Sequence, residues 1–265
     1  MIHYHGTPIT PSTAAADILR GRHALVSFAE PRDIDLVAEI CQSFCIDNGA
    51  YSFWKRGEKQ INWDEYAEFL AKWVFHPGCD FFILPDVIDG DEDQNYELIS
   101  EFVDRYEWLQ SAGTGVPVYH LHESIEHFER LCRSFQRVAI GSSGQYAQVG
   151  TDLWWNRMDE VLQSACNAPA WCPNPSQWPQ QPCVKLHGLR MLDPRVFGKL
   201  PLASADSSNV ARNIGIDSAW RGTYQPPSKA WRGSVLAARI ESHQSAACYG
   251  VQPAENQAEA QPTLF

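Results

Sequence analysis

Three aspartates stand where short apolar runs give way to small polar residues: Asp47 in "FCIDNGAYSFW", Asp86 in "FFILPDVIDGDED" and Asp206 in "LASADSSNVARN". A carboxylate leaving a hydrophobic strand loses part of its hydration, so it requires satisfied partners or a chemical task. Carboxylates gathered in one low-dielectric pocket cannot all ionise cheaply, and their pKa values spread apart. That spread suits a division of labour among a nucleophile, an acid/base and an acceptor that reads N–H donors. Carboxylate pairs of this kind cleave glycosidic bonds with retention, one attacking C1′ while the other protonates the leaving group. Taken singly, each acid also fits a turn or a helix N-cap.

Bringing three such acids together requires elements that end on one side of the molecule. Eight apolar runs read as strands, at 2–7, 24–29, 44–49, 81–87, 116–122, 137–142, 184–189 and 202–208. Between them lie segments with apolar residues at i, i+3 and i+4, such as Leu36, Ile40 and Phe44, or Tyr66, Phe69, Leu70 and Trp73. Strands alternating with helices over a chain of this size predict a single-domain α/β fold, a TIM-like (β/α)8 barrel with irregular insertions. A doubly wound sheet is the second choice. In the barrel, Asp47, Asp86, His120, Ser142, His187 and Asp206 fall at the C-terminal ends of strands, the catalytic face. The barrel spans 1–250, and the polar stretch 251–265 reads as a flexible tail. The proline-rich segment 166–182 and the aromatic and cationic stretch 209–233 break the rhythm.

At this point the motifs resemble the tRNA-guanine transglycosylases, and most of all the DNA-acting 7-deazaguanine transglycosylases of phages and bacteria. The resemblance runs through residues 24–213 as spaced motifs. "IDNGAYS" is similar to the family's Asp-Ser-Gly-Gly-aromatic-Gln turn, which implies Asp47 as general acid/base and Tyr51 as a stacking plate. "LPDV" resembles the strand whose aspartate reads the N1–H and N2–H edge of guanine, here Asp86. "VYHLH" places His120 where the family has a glutamine on the base, and "AIGSSG" places Gly141 and Ser142 at its Gly-Gly turn. "KLHGLR" is similar to the strand supplying a residue that packs against the base, which implies that role for His187. "ASADSSNVARN" resembles the nucleophile strand, making Asp206 the residue that attacks C1′ and Arg212-Asn213 the Arg-Asn pair that follows. The implied reaction is exchange of a guanine in DNA for a 7-deazaguanine such as 7-cyano-7-deazaguanine, through a covalent Asp-glycosyl intermediate and with no cofactor or metal. The family's Cys-x-Cys-x-x-Cys…His zinc knuckle has no counterpart here, which favours DNA over tRNA, the alternative substrate.

Beside the expected nucleophile, Trp220, Arg221, Tyr224, Lys229, Trp231 and Arg232 crowd one stretch. Arg221, Lys229 and Arg232 could meet phosphates while the aromatics stack on splayed bases, or the tryptophans could simply cap the barrel. The final "QPTLF" resembles peptides that dock into the bacterial sliding clamp, with Gln261, Leu264 and Phe265 as anchors.

The net charge of −11 argues against a protein that coats nucleic acid through bulk electrostatics. The charge is segregated, however: residues 1–182 carry twelve Lys/Arg against twenty-six Asp/Glu, whereas 183–240 carry nine against three aspartates. Such a division fits either an ordinary solvated face or a local seat for a polyanion. No run of about 18 apolar residues is present, so no membrane span is expected. The N-terminus lacks a secretory pattern, and eight cysteines without a CxxC pair fit a reducing, cytoplasmic setting.

Two rival classes share these residues. "HYH" on the first strand, with His120, His122, His187 and Asp206, has the pattern of a metal-dependent amidohydrolase barrel, with His3 and His5 as ligands. A DNA-binding or clamp-associated adaptor with a decayed site is the non-enzymatic choice. A glycosidase that removes the base without replacing it is a closer variant of the leading reading.

Overall fold

Pro117 divides the run Gly115–His120 into two short strands, because a residue without an N–H leaves a gap in the ladder. Its carbonyl still accepts from the Ala139 N–H at 2.9 Å, so the extended backbone continues through it. That split run is what joins the two edges of the sheet. In chain order the strands are β1 (Ile2–Gly6), β2 (His23–Ser27), β3 (Ser43–Asp47), β4 (Cys79–Ile83), β5 (Gly115–Val116), β6 (Val118–His120), β7 (Arg137–Gly141), β8 (Lys185–Gly188) and β9 (Ser204–Ser207). All pair in parallel, in the order β5-β4-β3-β2-β1-β9-β8-β7-β6. Since β5 pairs with β4 and β6 with β7, the nine segments act as eight staves of a barrel. The chain is therefore an α/β, TIM-like (β/α)8 barrel. The computed structural model describes residues 1–58, 60–166, 180–215, 220 and 225–250.

The expected strands are all present, with ends shifted by at most four residues. The helices are α1 (Ser12–Leu19), α2 (Ile34–Ile40), α3 (Ala50–Lys55), α4 (Trp63–Trp73), α5 (Glu92–Arg105), α6 (Trp108–Ala112), α7 (Ile125–Ser134), α8 (Asp152–Cys166), α9 (Pro194–Phe197), α10 (Asn209–Asn213) and α11 (Lys229–Glu241). Phe44 corrects the helical series drawn through Leu36 and Ile40. The helix ends at Ile40, and Phe44 sits in β3 with its ring edge-on to Trp73.

A second correction concerns the two ends of the stretch 209–233, which are helical, in α10 and in the start of α11. Lys229, Trp231 and Arg232 form the first turn of α11, started by Ser228, whose hydroxyl accepts from the Trp231 N–H at 3.1 Å. Gly233 lets α11 lie close to α1, since a Cβ there would overlap Ile18. The segment 167–179 and the tail 251–265 lie outside the described residues.

Alternation along each strand sends one set of side chains inward and the other to the helices. Tyr4, Leu25, Cys45, Phe81, Ile83, Val116, Val118 and Ala139 fill the barrel interior. The outward set joins the helices in a larger core that includes Val26, Ile46, Phe82, Leu70, Trp154 and Leu162. Among the described residues no helix is long and apolar enough to cross a membrane.

Candidate active site

The strand ends at the C-terminal mouth surround a pocket of about 170 Å³ lined by Asp47, Asp86 and Asp206 together with Tyr51, His120, Gly141, Ser142 and Arg212. The fold thus brings most of the expected site residues to one place. The pocket falls well below the roughly 300–1,000 Å³ of sites for drug-sized ligands, so it suits a single ring system.

Asp47 ends β3, and the chain must turn at once into α3. Gly49 makes the turn at φ +81°, with no room for a Cβ against Ala29. The Asp47 carboxylate accepts from Ser27 Oγ at 2.8 Å and from the Gly49 N–H at 3.0 Å. Burial pushes its pKa up to about 6. The nearby charges of Asp206 and Asp86 reinforce that rise, and the two hydrogen bonds oppose it. Its protonated and ionised forms are both accessible near neutrality, as a general acid/base requires.

Asn48, which composition presents only as a turn residue, ties two acids' loops together. Its Nδ2 donates to Asp86 Oδ1 at 2.6 Å and to the Leu84 carbonyl at 2.7 Å. Asp86 Oδ2 lies 2.9 Å from His120 Nε2, both groups being almost wholly buried. Close as they are, the two atoms do not form a hydrogen bond, and Nε2 is buried without a hydrogen-bond partner. Burial depresses the His120 pKa, but the Asp86 carboxylate, helped by Glu123 and Asp89, outweighs it and leaves the pKa raised. Gly141 gives this imidazole room, since a Cβ there would stand 3.2 Å from His120 Nδ1.

Behind His120 lies a polar network that the sequence reading missed. Glu123 accepts from the His120 N–H at 2.7 Å and from Asn95 Nδ2 at 2.9 Å, while Asn95 Oδ1 accepts from the Val87 N–H at 2.7 Å. The only sequence trace of it is an asparagine on the buried face of an amphipathic helix. Ser142 presents its carbonyl to the pocket region, and its hydroxyl accepts from Trp154 Nε1 at 2.9 Å.

Asp206 lies on β9 with Oδ1 accepting from the Arg190 backbone N–H at 3.1 Å. His187 Nε2 stands 3.3 Å from the same oxygen. This corrects the role expected for His187. It is fully buried, edge-on to Tyr4 and Phe81, and does not line the pocket; its contact is with the Asp206 carboxylate rather than with a base. Ser204 Oγ lies 2.9 Å from its Nδ1 and leaves Nε2 for Asp206.

Arg190 was also missed, although "KLHGLR" contains it. It adopts φ +59° just after β8, the stave across the ring from β3. From there its guanidinium reaches over the mouth to lie 4.1 Å from the Tyr51 ring centroid and donates to the Ser142 carbonyl at 3.1 Å. Tyr51 is therefore a plate, but a planar cation already covers one of its faces.

The expected nucleic-acid contacts separate. Arg212 is exposed on the pocket rim, and Lys229 is exposed on the first turn of α11. Asn213 instead donates to Asn209 along α10. Arg232 is a correction too: its guanidinium donates to the carbonyls of Ile214 at 2.6 Å, Pro226 at 2.9 Å and Pro227 at 3.1 Å, closing the loop before α11. Arg221, Gln261, Leu264 and Phe265 lie outside the described residues.

The histidine pair of the amidohydrolase reading faces the wrong way. Tyr4 points into the barrel, so its neighbours His3 and His5 point to the helix layer. His5 Nε2 meets Glu241 Oε1 at 2.8 Å, and His3 Nε2 lies 2.9 Å from the His243 carbonyl. Among the described residues no group of three or more His, Cys, Asp or Glu is arranged to hold a metal ion. In comparisons with protein-family models, curated proteins and solved structures, none matched this chain.

Proposed function

We propose that the protein is a base-exchange glycosyltransferase, a transglycosylase that replaces guanine in DNA with a 7-deazaguanine. The observation that carries this reading is the convergence of three aspartates in a base-sized pocket with unequal surroundings. Asp47 is poised near pH 6, Asp86 is bound to Asn48 and faces His120, and Asp206 is anchored through one oxygen.

In this mechanism the target guanine leaves its stack and enters the pocket, at an unstacking cost of a few kcal/mol. Asp86, Asn48 and His120 present acceptors and a donor to the base edge, and the base competes with Arg190 for the face of Tyr51. Asp206 Oδ2, which accepts no hydrogen bond among the described residues, attacks C1′. The C1′–N9 bond breaks, its electron pair leaves with the guanine, and Asp47 donates the proton that neutralises the base. The sugar is then held as an ester of Asp206. A 7-deazaguanine enters, loses its N9 proton to Asp47, and attacks C1′ through N9, which frees the Asp206 carboxylate. Two displacements retain the configuration. The Arg190 N–H holds Oδ1 throughout, with His187 Nε2 beside it, and stabilises the carboxylate as it departs.

The decisive experiment incubates the protein with labelled guanine or 7-cyano-7-deazaguanine and either DNA or tRNA, followed by nucleoside mass spectrometry. Label in DNA, absent with Asp206→Asn, is the expected outcome. Label in tRNA alone moves the substrate to RNA, a free sugar without new base makes the protein a glycosidase, and an active Asp206→Asn variant removes the mechanism.

A further inference from the structure

Next to the pocket, on the outer side of Asp86, runs a second cavity of about 390 Å³. Trp54, Ile61, Trp63 and Val87 form its apolar wall, and Glu58 and Asp89 supply carboxylates. Asp86 and Ile88 line both cavities, so the groove continues the pocket rather than standing apart from it. Trp54 is 46% exposed, whereas Trp154 is completely buried. Its orientation is set: Nε1 donates to Asp89 Oδ2 at 2.5 Å, and its ring stacks on Tyr51 with centroids 5.8 Å apart and planes 30° from parallel. Arg190, Tyr51 and Trp54 thus form a continuous series of planar groups leading out of the pocket.

The two sides of the mouth differ in charge. Carboxylates edge the Trp54 groove and would repel a phosphate, yet they accept from N–H donors of a ring lying on the indole. Arg190 and the exposed Arg212 enter from the staves across the barrel, where a phosphate would be attracted. A strand laid over the mouth would place bases toward Trp54 and its backbone toward the arginines.

We propose that the groove at Trp54 is a stacking subsite for the unpaired nucleobase that neighbours the target guanine. The proposal rests on the transglycosylase reading of the adjoining pocket. Base–aromatic stacking is sequence-tolerant because every base has a π-face, so the subsite holds the strand without selecting its sequence.

The test combines the side chain with the base it meets. Single-stranded DNA oligonucleotides carrying one guanine are prepared intact and with an abasic position on either side of it. Binding is followed by fluorescence anisotropy, and base exchange by mass spectrometry, for wild type, Trp54→Ala, Trp54→Phe and the control Phe75→Ala. Phe75 is 61% exposed beyond the far end of α4, where it meets Trp108. Trp54→Ala should weaken binding of the intact oligonucleotide roughly 5- to 150-fold, the range of one lost stack. It should change binding little when the abasic position replaces the stacked neighbour, because a side chain and its partner base are not lost twice. Trp54→Phe should retain most of the affinity and Phe75→Ala all of it.

Equal losses for Trp54→Ala on intact and abasic strands, or no loss on either, overturn the subsite while leaving the pocket reading intact. A wild-type protein that neither binds nor modifies any DNA or RNA strand overturns the pocket reading as well. The same coupling seen only on the RNA counterpart supports the subsite and assigns it to RNA.

Discussion

At the lower, N-terminal mouth of the barrel Asp80 accepts hydrogen bonds from Ser43 Oγ at 2.6 Å and from the Tyr4 hydroxyl. His23 extends the chain to Ser43 at 2.8 Å, and Arg137 and Lys185 line the same cavity as Asp80. At the upper mouth, three aspartates share one small pocket with His120, Arg190 and Arg212. Both ends therefore contain a carboxylate network, but only the upper one sets like charges against each other. The contrast teaches how to tell a structural acid from a reactive one in the same barrel. At the lower end donors and cations match the charge, whereas at the upper end burial, reinforced by Asp206 and Asp86, raises the Asp47 pKa to about 6 and keeps it partly protonated near neutrality. It also agrees with the division of labour in this fold, in which the C-terminal face holds the chemistry and the opposite face contributes stability.

The sharpest way to break the comparison is to neutralise one acid at each end. Asp206→Asn should abolish base exchange, by about 10⁴-fold or more, as loss of a nucleophile does, with the circular dichroism spectrum unchanged. Asp80→Asn should leave turnover near wild type and lower the melting temperature instead. Reversed results would place the chemistry at the lower mouth.

Asp47→Asn should reduce exchange by about 10²- to 10⁴-fold, the usual range for a lost acid/base. In the wild type, the first displacement should slow as pH rises past about 6 and Asp47 loses its proton. Stability runs the opposite way from that of a paired carboxylate. Because the folded-state pKa is raised, the unfolded chain releases the proton first, and wild type loses stability as pH climbs from about 4, the unperturbed value, to about 6. Asp47→Asn should therefore melt higher than wild type at neutral pH, with the advantage vanishing below about pH 4. Urea melts across that range measure it, and a gap that widens on acidification would contradict the assignment.

His187→Phe should slow exchange by no more than about 10-fold, less than a formed hydrogen bond to a charged group would give, since its Nε2 stands 3.3 Å from Asp206 Oδ1 without such a bond. The effect should fall on kcat with KM unchanged, and His187→Gln should recover part of the rate. An unaltered kcat would make His187 a packing residue. The smallest effect belongs to Arg190→Ala, whose loss of the stack on Tyr51 should cost about 0.5–1 kcal/mol of stability. Chemical denaturation checks this value, and a markedly larger loss would mean that Arg190 braces the mouth rather than covering it.

The comparison also shows what was legible beforehand. Asp47, Asp86 and Asp206 could be found because each ends an apolar run, and strand ends in this fold share a face. The side of the strand on which a residue lies could not be read. Both faces of a barrel strand are buried, so His3, Tyr4 and His5 look alike as a sequence, and the inward place of Tyr4 turns the histidine pair outward. Arg232 has the composition of a phosphate contact, yet the carbonyls around it are set by how α11 meets the loop before it.

The sequence by itself determined the strand–helix alternation, the acids at the strand ends and the glycine turn after Asp47, because these depend on local periodicity and on backbone conformations open to few residues. Only the tertiary structure decided that Arg190 would cross the ring to Tyr51, that His187 would lie against Asp206, and that Asn48 would join Asp47 to Asp86. Those contacts join residues far apart in the chain or on different staves. Their geometry follows from barrel closure and from which face of each strand turns inward, and no local pattern of residue types encodes either.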